Sequence, residues 1–113
     1  ANNYAMSLLD LHRYAEVRSV MRKAIPIARR VVGDSSEITL KMRWNYALAL
    51  YRDPGATLDD LREAVTTLEE TERTARRVFG STHPLTLDAG VTLRDAQEVL
   101  RAREDGMRVK FVD

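Results

Sequence analysis

The residues best suited to chemistry in this chain are few, and their spacing points away from catalysis. The two histidines, His12 and His83, stand far apart, there is no cysteine, and neither imidazole falls in a His-Glu-x-x-His arrangement. A metal site gathers three or four suitable ligands, so none is expected. Asp59-Asp60 and the pair Asp88 and Asp95 offer carboxylates, but on helix surfaces with no cleft to raise a pKa and make one of them a general acid. Neither a glycine-rich phosphate loop nor a serine elbow is present. Neither an enzyme nor a bound cofactor is expected.

Side chains suited to recognition are better represented. Trp44, Leu48, Tyr51 and Arg52 follow three- and four-residue spacing, while Leu40, Ala47 and Leu50 follow a second stripe on the same segment. A helix with two partly separate apolar faces has more apolar surface than one neighbour can bury. Trp and Tyr supply large contact area and one hydrogen bond each. Lys41 and Arg52 beside them suit a carboxylate, Arg52 as a bidentate pair. The competing assignment is that Trp44 and Tyr51 pack between helices. Met6 and Met21 lie on helical stripes and read as packing residues. Arg29-Arg30 and Arg76-Arg77 complement the C-terminal dipole of helices, and Glu69, Glu70 and Glu72 read as a solvated face.

Such residues need elements to position them, and the composition sets the scale. The 113-residue chain is 44% apolar and 31% charged with five Gly and three Pro, the balance of one folded domain. The absence of cysteine excludes disulfides and fits an intracellular, cytoplasmic setting. Residues 1–56 carry nine Lys/Arg against five Asp/Glu, and residues 57–113 carry nine against twelve. A chain so nearly neutral is not expected to bind nucleic acid, whereas its two-signed halves allow weak homo-oligomers through open edges. No apolar run approaches the roughly 20 residues of a membrane span, and the first residues lack the pattern of a signal peptide. Starting without Met and already helical in pattern by its third residue, the sequence reads as a piece of something longer.

Five helices are expected. The first covers 3–11, with Tyr4, Leu8 and Leu11 on one side, and breaks at His12-Arg13. The second runs from Tyr14 to Val32, with a bend or local break at Pro26 and Gly33 as its C-cap. Asp34-Ser35-Ser36-Glu37 supplies N-cap candidates for a third helix ending before Asp53-Pro54-Gly55. Thr57 and Asp60 have capping-box spacing for a fourth, which carries Leu61, Ala64 and Leu68 towards Gly80. The fifth starts with Thr82 as cap and Pro84 in its first turn, and stops near Gly106. Residues 1–106 form the domain; residues 107–113 alternate apolar and polar and read as an extended or disordered tail.

Internal similarity decides the architecture. Asn3-Tyr4-Ala5 recurs 42 residues later as Asn45-Tyr46-Ala47. Ala28-Arg29-Arg30-Val31-Val32-Gly33 recurs 47 residues later as Ala75-Arg76-Arg77-Val78-Phe79-Gly80, and Gly33 to Leu40 likewise returns as Gly80 to Leu87. The offsets differ because the second hairpin carries five extra residues around Asp53 to Leu58. One helical hairpin cannot bury its apolar face alone, so repeated hairpins stack.

These motifs resemble the tetratricopeptide repeats of kinesin light chains and their relatives: Asn45-Tyr46-Ala47 with Leu50, and above all Gly80-Ser81-Thr82-His83-Pro84-Leu85-Thr86-Leu87. The resemblance implies an all-α fold, a right-handed helical-hairpin solenoid of about two and a half repeats. It also implies a protein–protein interaction scaffold holding a peptide or partner protein in the concave face of its A helices, the first, third and fifth. The alternative is a structural or self-associating segment with no peptide ligand of its own. Matched by position, the groove takes Asn2, Met6, Leu9 and Asp10, then Lys41, Trp44, Leu48, Tyr51 and Arg52, then Asp88, Val91, Asp95 and Glu98, with Asn3 and Asn45 placed to bond a peptide backbone. Against the family pattern, Arg94 stands at a normally small inter-helix position, which implies an edge with no further helix packed on it. No membrane, metal or nucleic-acid contact is implied.

Overall fold

A computed structural model describes the backbone of residues 13–112 and the side chains of 13–107. Four α-helices make up the described residues: α1 (Tyr14–Val32), α2 (Glu37–Arg52), α3 (Leu58–Phe79) and α4 (Pro84–Val112). The helix expected over 3–11, and with it Asn2, Asn3, Met6, Leu9 and Asp10, lies outside them. Each helix packs on the next in sequence, and α2 also touches α4. This pattern stacks one hairpin on another, as a helical repeat requires.

The turns between the helices follow from local chemistry. Gly33 (φ 94°) and Gly80 (φ 98°) end α1 and α3 with a positive φ that a side chain resists, and their N–H groups bond the carbonyls of Arg29 and Arg76. Six residues on, Thr39 Oγ1 donates to the Gly33 carbonyl at 2.8 Å and Thr86 Oγ1 to the Gly80 carbonyl at 2.9 Å. The 47-residue repeat is therefore a repeat of geometry. Ser36 caps α2 by accepting from the Thr39 N–H. Thr57 and Asp60 close a reciprocal capping box on α3, at 3.1 and 3.0 Å.

Each outer helix lays one stripe on the core. Tyr14, Val17, Met21 and Ala28 of α1 are buried, and so are their counterparts Leu61, Ala64, Leu68 and Ala75 of α3. In α2 every residue from Asn45 to Tyr51 is buried, because this helix has neighbours on several sides. Polar links tie the hairpins together. Tyr46 Oη accepts from Arg22 Nε at 3.2 Å and donates to Glu63 at 2.6 Å, joining α1, α2 and α3. Arg18 and Asp53 pair at 2.8 Å, and Arg103 donates to the Ala56 carbonyl at 2.6 Å.

Of the bend or local break expected at Pro26, no break is present: α1 runs through it, with Met21 and Ala28 buried on either side. Two further local expectations are corrected. The cap of α4 is His83 rather than Thr82: its Nδ1 accepts from the Leu85 N–H at 3.1 Å, while the ring stacks on Phe79 with centroids 4.7 Å apart. Helix α4 continues through Gly106 to Val112, so residues 107–112 are not an extended tail. A glycine inside a helix costs only about 1 kcal/mol relative to alanine, and Gly106 has no positive φ to end the helix, unlike Gly33 and Gly80.

Candidate functional site

The residues proposed for a binding groove fall on α2 and α4, the two described A helices. Trp44 anchors the junction: it is half-buried, and its Nε1 donates to Thr92 Oγ1 on α4 at 2.9 Å. That bond satisfies the indole and sets Trp44 beside the α4 turn that carries exposed Val91. Lys41 is exposed and pairs with Glu37 one turn back at 3.0 Å, which keeps the Glu37 carboxyl below its usual pKa. Arg52, exposed at the end of α2, holds its guanidinium 6.0 Å from the Tyr51 ring centroid. Burial raises the Tyr51 hydroxyl pKa; Arg52 opposes that shift and Asp95 adds to it, so both charges face the phenol. Asp88, Asp95 and Glu98 are exposed on α4.

Lys41, Trp44 and Arg52 on α2 and Asp88, Val91 and Asp95 on α4 are exposed or partly exposed, and the Trp44–Thr92 bond joins the two helices. The structure removes Asn45, Leu48 and Tyr51 from the surface, since all three are buried. The sequence pattern assigned the stripe of Trp44, Leu48, Tyr51 and Arg52 to an open face. Leu48 and Tyr51 instead pack into the core, the assignment weighed above for Tyr51, while Trp44 stays partly exposed and Arg52 exposed. Two contributors escaped the sequence reading. Thr92 has no distinguishing signal apart from its place beside Val91, and Tyr46 was visible only as part of the recurring Asn-Tyr-Ala motif.

His83 is engaged as a helix cap and ring partner, and among the described residues no cluster of three His, Asp or Glu is placed to hold a metal ion. Among the described residues, too, no helix is long and apolar enough to cross a membrane.

A repeated helix–turn–helix geometry with matched glycine turns is what the comparison with known families then meets. The family model described as tetratricopeptide repeat matches residues 1–37, from the start of the chain through α1 and its glycine turn. Over those residues the chain is similar to a tetratricopeptide repeat. Tetratricopeptide repeats are in general protein–protein interaction modules and typically non-catalytic. The match ends at the start of α2. No curated protein and no solved structure matches the chain.

Proposed function

We propose that the chain is a protein-interaction scaffold, not an enzyme, which takes a peptide or a partner's segment across the face shared by α2 and α4. The observation that supports this reading is the 2.9 Å hydrogen bond from Trp44 to Thr92, because it ties partly exposed Trp44 to the residue that follows exposed Val91 on α4. The result is an apolar centre flanked by charge of two signs: Lys41 and Arg52 on α2, Asp88 and Asp95 on α4. A segment with an apolar side chain at its middle, a carboxylate towards α2 and a basic group towards α4 complements it. On this reading Asn2, Asn3, Met6 and Leu9 extend the same face, and the helices stack as a right-handed solenoid similar to the repeats of kinesin light chains. An aqueous, cytoplasmic setting suits such a role.

The test is selection of peptides from a random library on the full chain, followed by titration against variants. Val91→Arg and the double change Lys41→Glu/Arg52→Glu should each weaken a selected peptide about 10-fold or more, with helical circular dichroism unchanged. Binding that survives both sets of changes would refute the proposed face.

A further inference from the structure

We infer that His83 makes the junction of α2, α3 and α4 proton-sensitive: the neutral ring caps α4, and the protonated ring releases that cap and lets the first turn open. The inference is independent of the peptide face and starts from two equivalent turns with chemically different caps. At the start of α2, Ser36 Oγ accepts from the Thr39 N–H. At the equivalent place 47 positions later stands His83, whose Nδ1 accepts from the Leu85 N–H at 3.1 Å. A serine hydroxyl does not change charge between pH 5 and 8, whereas an imidazole titrates there, with an ordinary pKa of about 6.5. To accept at Nδ1, the neutral ring must carry its one proton on Nε2; a second proton goes to Nδ1 and turns the acceptor into a donor. Two N–H groups then face each other, and the Leu85 N–H loses its partner.

The place of the ring carries this change into the core. His83 is half-buried and stacks on Phe79 at an interplanar angle of 27°. Leu85, 5% exposed, packs with Leu40 of α2 and Ala75 of α3, and Phe79 lies against the same cluster. One ring therefore reaches the meeting point of three helices by two routes, through Phe79 and through the backbone of Leu85. Among the described residues, the charged groups on the elements around it are Glu37 and Lys41 on α2, Glu72, Arg76 and Arg77 on α3, and Asp88 on α4 itself. Lys41 and, more weakly, charge on His83 hold the Glu37 carboxyl below its usual pKa, so Glu37 is the anion that meets a protonated ring. The arginines and the positive end of the α4 dipole oppose that charge. Protonation thus withdraws the ring from α4 and draws it towards the start of α2.

Nitrogen-detected NMR on the isotopically labelled full chain tests this between about pH 8 and about pH 5. At the upper pH a through-hydrogen-bond coupling should link the Leu85 amide nitrogen to His83 Nδ1, and it should vanish as the ring titrates. Over the same range the Leu85 amide should exchange about 5-fold faster with water, after correction for the pH dependence of an unstructured chain, as loss of one cap implies. The Thr39 amide, capped by Ser36, should keep its corrected rate. His83→Ser should make the Leu85 and Thr86 amides insensitive to pH; His83→Asn serves if that variant does not fold. His12→Gln should respond as wild type does, which assigns the titration to His83. A coupling absent at pH 8, a coupling or corrected rate unchanged at pH 5, or a wild-type response in the His83 variant would each overturn the inference.

Discussion

Leu40 and Leu87 occupy the same position in successive units, yet Leu40 is buried and Leu87 exposed, and truncating each to alanine should separate the two cleanly. Leu→Ala removes three carbons, worth about 2.4 kcal/mol at about 0.8 kcal/mol per buried CH₂. At Leu40 this loss applies in full, because the side chain is fully buried. A cavity term adds about 1 kcal/mol, since the packed partners Ala75, Leu85 and Phe79 sit on two further helices that cannot both collapse inward. The expected cost is therefore about 3 to 4 kcal/mol, a large share of the about 5 to 15 kcal/mol that stabilises a domain of this size. At Leu87, already 54% exposed, no cavity forms and the loss should stay below about 1 kcal/mol. Urea denaturation followed by circular dichroism at low micromolar concentration, where self-association is suppressed, reads both. The midpoint for Leu40→Ala should fall by about 2 M at an unchanged slope, taking a slope of about 1.5 kcal/mol/M. Equal costs at the two positions would refute the assignment of one as a buried junction and the other as a surface position.

Three further outcomes follow from single positions. Gly33→Ala and Gly80→Ala should each destabilise by about 1 to 2 kcal/mol in thermal melts. The cost is conformational, because a Cβ at either site meets nothing within 4 Å while φ stays at 94° or 98°. Gly106→Ala, in contrast, should raise ellipticity at 222 nm and stabilise by about 0.5 to 1 kcal/mol; no gain would place the end of α4 before Gly106. The Asp53 carboxyl is held below its usual pKa first by the Gly55 N–H at 2.8 Å and then by Arg18. Its folded-state pKa lies below its unfolded one, so the stability it contributes is present above about pH 4 and lost as pH falls through the lowered value. Asp53→Asn should therefore be less stable than wild type at neutral pH, with the difference shrinking in acid melts.

Much of the fold was legible because its determinants are local. Helix α3 announces itself through Thr57 and Asp60, and Gly33 and Gly80 mark ends that only a positive φ explains. The stripes of α1 and α3 read correctly because each outer helix shows one face to the core. Helix α2 resisted the same treatment. It is packed on several sides, so periodicity could divide its apolar residues into stripes but not say which stripe meets another helix. Leu48 and Tyr51 were misplaced for that reason, while Trp44, its indole bonded to Thr92, serves both as packing and as surface. The end of α4 was misjudged because Gly106 was read as a stop, although no change in backbone handedness accompanies it. Arg94 is exposed, whereas its counterpart Ala47 is buried.

The central claim is that the face shared by α2 and α4 receives a partner. Backbone and indole NMR shifts of the isotopically labelled chain, titrated with a selected peptide, address it most directly. The account expects the largest changes at Lys41, the Trp44 indole N–H, Arg52, Asp88, Val91 and Asp95, with Ile27, Val31 and Ile38 unmoved. Shifts confined to the exposed apolar residues of α1, or spread evenly over the surface, would contradict it.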